Sequence, residues 1–496
     1  MPVIAALMWA AVALNVGLML TRLASAVSFD TPLLTVTSGA EEESAFALWK
    51  YVHGLPVFAD PFRMPFAASY YNWLFYAAYG GILRPVLSGL ALSDAWLPTI
   101  ARFISFAFAL AGVATGYFCF REQAHTHGRD CYAAPLAWAI FIFLGPLVGF
   151  WAVSLNPELP ATVCAAGGVL ALLRLYPRQA AVATVLATLL SYAAWSFKQS
   201  HVFLAVTLCA FLVLRTDWRN LAVVVALHAV LLGLTLMIGS EDYRHLVLLR
   251  DTAMTFSAWQ FQRNLMNMGV KLLPITASLL FLFFLLGREI VQAPRAWAKD
   301  PANNKLAIAV MGVLITAAIT LPASAKYGAA ENYYFVLSFF MVLAVCARQP
   351  VEYLGEGWSI GPIITTTAWL SAGLATILVF LGIAGVTSVY PRHILHSQQR
   401  DCLRGLPGPM YSVNPFLALP WVAGHQEGFV VAYDYPTFRQ TGRPFERGGI
   451  GGLVSEGYFA TLALWPAQTM VDGAMLARYT PVTPDCAGLA IYGRLP

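Results

Sequence analysis

YYNWLFYAAYGGILRPVLSGL, residues 70–90, is the stretch on which the topology of this chain turns. It is apolar enough to suggest a membrane span, yet Arg84, Pro85 and the Gly80-Gly81 pair interrupt it. Its clean apolar run is shorter than the roughly 17 to 25 residues a helix needs to cross the hydrocarbon layer. If 70–90 lies in the interface, the loops at 121–132, 174–178, 215–219, 288–305 and 348–362 all face one side. They carry Arg121, Arg129, Arg174, Arg178, Arg215, Arg219, Arg288, Arg295, Lys299, Lys305 and Arg348. Dense basic residues in short loops mark the cytoplasmic face. As a span, 70–90 would put every one of them outside, so the interfacial placement is preferred.

Composition agrees with a polytopic membrane protein: 59% of residues are apolar and 11% charged, against about 25% charged in soluble domains. Backbone groups in hydrocarbon must be satisfied within the segment, so the spans are helices. Apolar runs place them near 3–22, 98–120, 133–153, 158–174, 179–196, 200–214, 220–238, 271–287, 306–323, 333–347 and 363–388. The expected fold is an all-α polytopic membrane protein of about eleven transmembrane helices plus interfacial helices. Arg22 follows the first run and no basic residue precedes it, against a cytoplasmic N-terminus; Ala24-Ser25-Ala26 resembles a signal-peptidase site. The run is longer than a signal core and its start carries no basic residue, so it is read as an uncleaved first helix.

A long external loop, 23–97, follows. In EEESAFALWKYVHG, 41–54, Phe46, Trp49 and Val52 recur at helical spacing, the pattern of a helix lying flat on the membrane. The Pro-rich LPVFADPFRMP joins it to 70–90, and a second external loop, 239–270, is expected to add a third interfacial helix. From 391 the composition becomes that of a soluble domain, with short alternating runs GFVVAY (428–433) and GLAIYG (488–493). The expected division is a membrane domain, 1–390, and a small external α/β domain, 391–496. GGIGG at 448–452 lacks the lysine of a phosphate loop and reads as a structural turn. Cys402 and Cys486 alone fall in the external domain, where an oxidising compartment favours a disulfide. The chain has no Asn-x-Ser/Thr site, which favours a bacterial envelope over a eukaryotic lumen.

The unusual polar residues all fall in alternate loops, on the external face. Glu41 and Glu42 open a helix, where first-turn amides favour anions, so capping is the bland alternative to catalysis. Glu158, after Asn156-Pro157 at the mouth of a span, is costly unless hydrated, paired or functional. Lys198-Gln199, next to Ser200-His201 at an outer helix end, forms either a snorkelling lysine or a phosphate clamp. Asn332 with Tyr333 begins another span, where tyrosines are often belt residues.

In this order the motifs resemble the GT-C superfamily of membrane glycosyltransferases, which use polyprenyl-phosphate sugars and include mannosyl- and aminoarabinose-transferase-like enzymes. The resemblance rests on the acidic pair, HGLPVFADP, YYNWLFY, the second-loop acid, KQ and NYY, and extends to about residue 347. It implies an inverting transfer at the external face of a multi-pass protein, expected in a bacterial inner membrane with its site toward the periplasm or exterior. Glu41 or Glu42 matches the first acid, and Glu158 the second. Donor phosphate falls to Lys198, Gln199, Arg63, Arg244 and Arg263. Substrate contacts fall to His53, Tyr71, Asn72, His201, Asn332 and Tyr333. A divalent cation, if used, would sit on Glu42 and Glu158, with Glu41 a further oxygen ligand. The acceptor is a lipid, glycan or protein hydroxyl, and membrane lipid is the remaining partner. Two other classes stay open: a lipid or solute transporter, which should show midplane charges or topological repeats, and a non-catalytic envelope assembly protein.

Overall fold

The computed structural model describes residues 2–27, 41–124, 133–176, 178–248, 256–300, 303–326, 328–347, 373, 384–424, 429–431, 435–466 and 471–496. Among them, six helices are long and apolar enough to cross a membrane. These are α1 (Pro2–Val27), α4 (Leu97–Ala124), α6 (Glu158–Leu175), α7 (Ala180–Phe197), α9 (Trp218–Ile238) and α11 (Asn304–Ala323). Between them come α2 (Glu41–Val52), α3 (Trp73–Gly89), α5 (Ala133–Leu144), α8 (Phe203–Leu214) and α10 (Ala258–Gln292). Helices α12 (Phe335–Ala347) and α13 (Ala384–Leu403) follow. α9 buries only Asn220 and Val224 and exposes Val225, Val230, Leu234, Met237 and Ile238. An apolar helix bare on almost every side requires an apolar solvent, and this chain is a multi-pass membrane protein.

Several expectations change. The segment 70–90 does not break at its glycines or proline: α3 runs unbroken from Trp73 through Gly80-Gly81 and Pro85. Gly80 serves packing, since a Cβ there would lie 2.1 Å from Tyr51 Cδ1, so α2 and α3 meet closely. α2 is no surface helix, because its first ten residues, Glu41 to Lys50, are all buried. The expected span 133–153 is helical only to Leu144; residues 145–157 continue as a fully buried irregular strand of chain with a short 3-10 turn, Gly149–Val153. Irregular backbone at that depth is tolerated where protein encloses it. The second external loop opens with a short helical segment, Glu241–Tyr243 continued by Arg244–Leu248. Beyond it, α10 extends the expected span back to Ala258, giving 35 residues, or about 50 Å. The expected span 363–388 lies largely outside the described residues.

In the C-terminal part, α13 runs through position 391, where the composition shifts. Beyond it lie β1 (Met410–Ser412), β2 (Thr461–Leu464), β3 (Tyr479–Cys486) and β4 (Leu489–Arg494), in the order β1-β2-β4-β3, with β1 and β2 parallel and the others antiparallel. GLAIYG supplies β4. GFVVAY does not supply a strand, since its described residues, Phe429 to Val431, are buried coil. The glycine turn at Gly448-Gly449 takes positive φ at both residues and closes on protein, with Tyr435 Oη accepting from the Ile450 amide at 2.8 Å. A disulfide joins Cys402 and Cys486, whose Cα atoms are 5.9 Å apart.

This sheet is stitched to the first external loop. Phe66 is fully buried in one apolar cluster with Tyr411, Phe429, Tyr435 and Leu462. The Glu446 amide donates to Phe62 O at 2.9 Å, the Met64 amide to Glu446 Oε2 at 3.0 Å, and Arg443 pairs with Asp60.

Candidate active site

Three helix ends meet at Glu158. The carboxylate sits in the first turn of α6, where the helix amides favour it. Lys198 caps the C-terminus of α7, and Asn332 lies in the 3-10 turn Glu331–Tyr334 that leads into α12. Glu158 Oε1 accepts from Lys198 Nζ at 2.5 Å and from Asn332 Nδ2 at 2.6 Å. Its second oxygen is buried with no hydrogen-bond partner. The Lys198 ammonium lies 5.3 Å from the centroid of the Tyr333 ring, a cation–π contact. The sequence suggested charges at exposed helix mouths. In the structure the Glu158 and Lys198 side chains are only 2% and 12% exposed.

The acidic run separates into distinct roles. Glu41 is bound on both oxygens by the buried Arg102, Nε and Nη2 each at 3.2 Å, and Oε1 also accepts from the Leu155 amide at 3.3 Å. Arg102 Nη1 in turn donates to Ala26 O at 2.7 Å, so the guanidinium ties the end of α1 to the start of α2. Glu42 is fully buried and neither of its oxygens has a hydrogen-bond partner. Burial raises its carboxyl well above the usual range, and the neighbouring Glu41 and Glu43 add to this; its own amide and Arg102 pull the other way and lose.

Residues 70–72 bridge the two acidic regions. Gln199 Nε2 donates to Tyr70 O at 2.7 Å, and Tyr71 Oη donates to Asn156 Oδ1 at 2.6 Å, two residues from Glu158. Burial raises the Tyr71 hydroxyl well above its ordinary value, and the fields of Glu158, Tyr76, Glu43 and Tyr333 push the same way. Asn72 caps α3, donates to Trp195 O at 2.9 Å and accepts from Tyr243 Oη at 2.6 Å. His201 is buried against Phe203, and burial with Lys198 nearby drives its imidazole well below the ordinary value, which leaves it neutral rather than a phosphate-binding cation. His53 stacks on Trp49 and pairs with Asp94 at 2.9 Å.

The remaining arginines do not join the Glu158 cluster through any hydrogen bond or ion pair. Arg63 is exposed on the wall of a separate cavity, Arg244 donates to Leu236 O at 3.4 Å, and Arg263 lies over the Trp259 ring at 4.8 Å. Two cations that sequence reasoning passed over take part instead. Arg102 holds Glu41, and Lys271 holds Glu331 Oε1 at 2.5 Å, one residue from Asn332. Both sit near the ends of apolar runs and were absorbed into spans, although an ionisable residue in a span is itself a signal. As for a cation site, Glu41 and Glu158 are already engaged by Arg102, Lys198 and Asn332. Among the described residues no group of three His, Cys, Asp or Glu side chains is placed to hold a metal.

The chain matches no protein-family model and no curated protein sequence. It does superpose on solved membrane enzymes. ArnT from Cupriavidus metallidurans in the apo state matches with a TM-score of 0.60 at 12% identity, over 97% of each chain. The same protein bound to undecaprenyl phosphate matches with a TM-score of 0.56 at 12% identity, again over 97% of each chain. From end to end, this chain has the fold of ArnT.

Proposed function

We propose that this chain is an inverting glycosyltransferase that moves a sugar from a polyprenyl-phosphate donor to an acceptor hydroxyl on the external face of a bacterial inner membrane. The observation that carries the reading is the buried Glu158–Lys198–Asn332 cluster, set at the meeting of three helix ends in a fold whose solved example holds undecaprenyl phosphate. Glu42 is the general base: its carboxyl has no hydrogen-bond partner and burial raises its proton affinity above that of an ordinary carboxylate, which strengthens it as a proton acceptor. The acceptor oxygen attacks the anomeric carbon as its proton passes to Glu42. The bond from that carbon to the phosphate oxygen breaks, and the electron pair leaves with the lipid phosphate. Lys198 meets the charge that develops there, while Glu158, itself fixed by Asn332, holds the ammonium in position. Arg102 is a positioning residue, since it locks Glu41 and so fixes the helix that presents Glu42.

The direct test is transfer from a set of labelled polyprenyl-phosphate sugars by the purified protein; no transfer from any donor would overturn the reading. The proposed sidedness is tested by single introduced cysteines at Lys299, Lys326 and Glu456. Impermeant thiol reagents on intact cells are expected to label positions 326 and 456 and to spare 299. Labelling at 299, or protection at 326, would refute an external site.

A further inference from the structure

A cavity of about 1340 Å³ lies between α2, the extended residues 55–67, the second external loop at 241–246 and the C-terminal part at 429–443. It exceeds the roughly 300 to 1,000 Å³ of a typical small-molecule site. We propose that this cavity is the acceptor site and that it takes a neutral, hydroxyl-rich saccharide chain, an assignment that rests on the transferase reading above.

Three features argue for it. Phe46 and Lys50 line the cavity, and Glu42 lies four and eight residues before them, on the same face of α2. The cavity therefore lies along the face of α2 that carries the proposed base. The charged lining is close to balanced: Lys50, Arg63, His245 and Arg443 stand against Asp60, Glu241 and Asp242. Arg443 pairs with Asp60, His245 lies 3.8 Å from Glu241, and Lys50 donates to Val57 O at 2.8 Å. Burial also brings the Lys50 ammonium down to about 8, which weakens it further as a fixed charge.

Among the described lining residues, Arg63 and Asp242 are the cation and the anion left without a partner. Sugar hydroxyls donate and accept, and so satisfy both. A phosphorylated head group would meet a lining with no net excess of cations to hold it. Aromatic faces complete the wall, from Phe46, Trp49, Phe58, Phe62 and Phe438. Rings of that kind cover the apolar faces of sugars while the rim carries the polar contacts. The wall is also fixed in place, since Phe62 O accepts from the Glu446 amide and Phe66 is buried in the C-terminal core.

The test is hydrogen exchange on the full chain in detergent with no donor present. The probes are neutral tetrasaccharides of glucose, mannose, galactose and arabinose, each also with a terminal phosphate, and an unstructured peptide rich in serine and threonine. At least one neutral tetrasaccharide should slow exchange in peptides covering 55–67 and 435–443. Arg63→Ala and Asp242→Asn should each weaken that binding about tenfold or more, a loss of about 1.4 kcal/mol. Both residues lack an ion-pair partner among the described residues, so their loss leaves no buried charge. No protection by any neutral saccharide, tighter binding of the phosphorylated forms or of the peptide, or unchanged binding by both variants would each overturn the proposal. Transfer without saccharide binding would sink this assignment alone, and saccharide binding without transfer would sink the transferase reading.

Discussion

Glu158→Gln is expected to lower transfer by on the order of 100- to 1,000-fold, the scale lost when one preplaced electrostatic partner of a transition state is removed. It should also lower stability. The amide still accepts from Asn332 but leaves the Lys198 ammonium, 12% exposed, without its counter-charge. Breaking a buried pair from one side costs about 3–5 kcal/mol when fully desolvated, and somewhat less here, where the lysine is partly wet. Lys198→Ala should destabilise by a similar amount, since it strands a carboxylate that is 2% exposed, and it should weaken donor binding as well. The double change Glu158→Gln with Lys198→Met removes both charges. It should recover most of the stability of the single variants while remaining inactive. Thermal unfolding in detergent alongside the transfer assay reads both quantities. Near-normal transfer by Glu158→Gln, or a double variant weaker than both singles, would end the role given to this pair.

The two neighbouring glutamates should part company. Glu41→Gln leaves the Arg102 guanidinium, wholly buried, with a neutral partner, and should cost about 3–5 kcal/mol. Glu42→Gln should behave oppositely. In the folded state the Glu42 carboxyl holds its proton well above 4.5, its ordinary value. Its contribution to stability is thus fully present below 4.5 and is lost as pH rises through the folded value. Glutamine cannot ionise, so Glu42→Gln should equal the wild type in acid and exceed it at higher pH. Its transfer rate should nonetheless fall by about 100- to 10,000-fold. In the wild type, kcat/KM should rise with pH along a limb set by Glu42, displaced above the ordinary carboxylate range. A Glu42→Gln enzyme that keeps that limb and its rate would pass the base role to another group.

The polar motifs were legible because charge at the end of an apolar run is expensive and so stands out: Glu158, Lys198 and Asn332 could each be picked from the sequence, and the structure joins them. What could not be read is that residues 145–157 leave the helix as a buried irregular segment, because a segment as apolar as a span has the composition of a span. The same ambiguity hid Arg102 and Lys271. Residue spacing also misjudged α2. Phe46, Trp49 and Val52 do share a face, but every residue from Glu41 to Lys50 is covered, Glu41 by partners distant in sequence, Arg102 and the Leu155 amide. The Gly80-Gly81 pair looked like a break, yet the helix runs through it and Gly80 is a contact point, a distinction that depends on Tyr51 lying against it.

Phe66, contributed by the first external loop and buried among Tyr411, Phe429 and Leu462, sets an order of events during synthesis. When the ribosome has made the first external loop, none of the residues that will cover Phe66 yet exists, and more than three hundred positions must follow before Tyr411 emerges. For that interval the loop waits with an aromatic side chain exposed, the kind of unfinished surface that chaperones recognise and proteases clip. A chain cut short before residue 410 would keep its proposed chemistry in sequence and still be cleared, because its first external loop would never find the core it was made to enter.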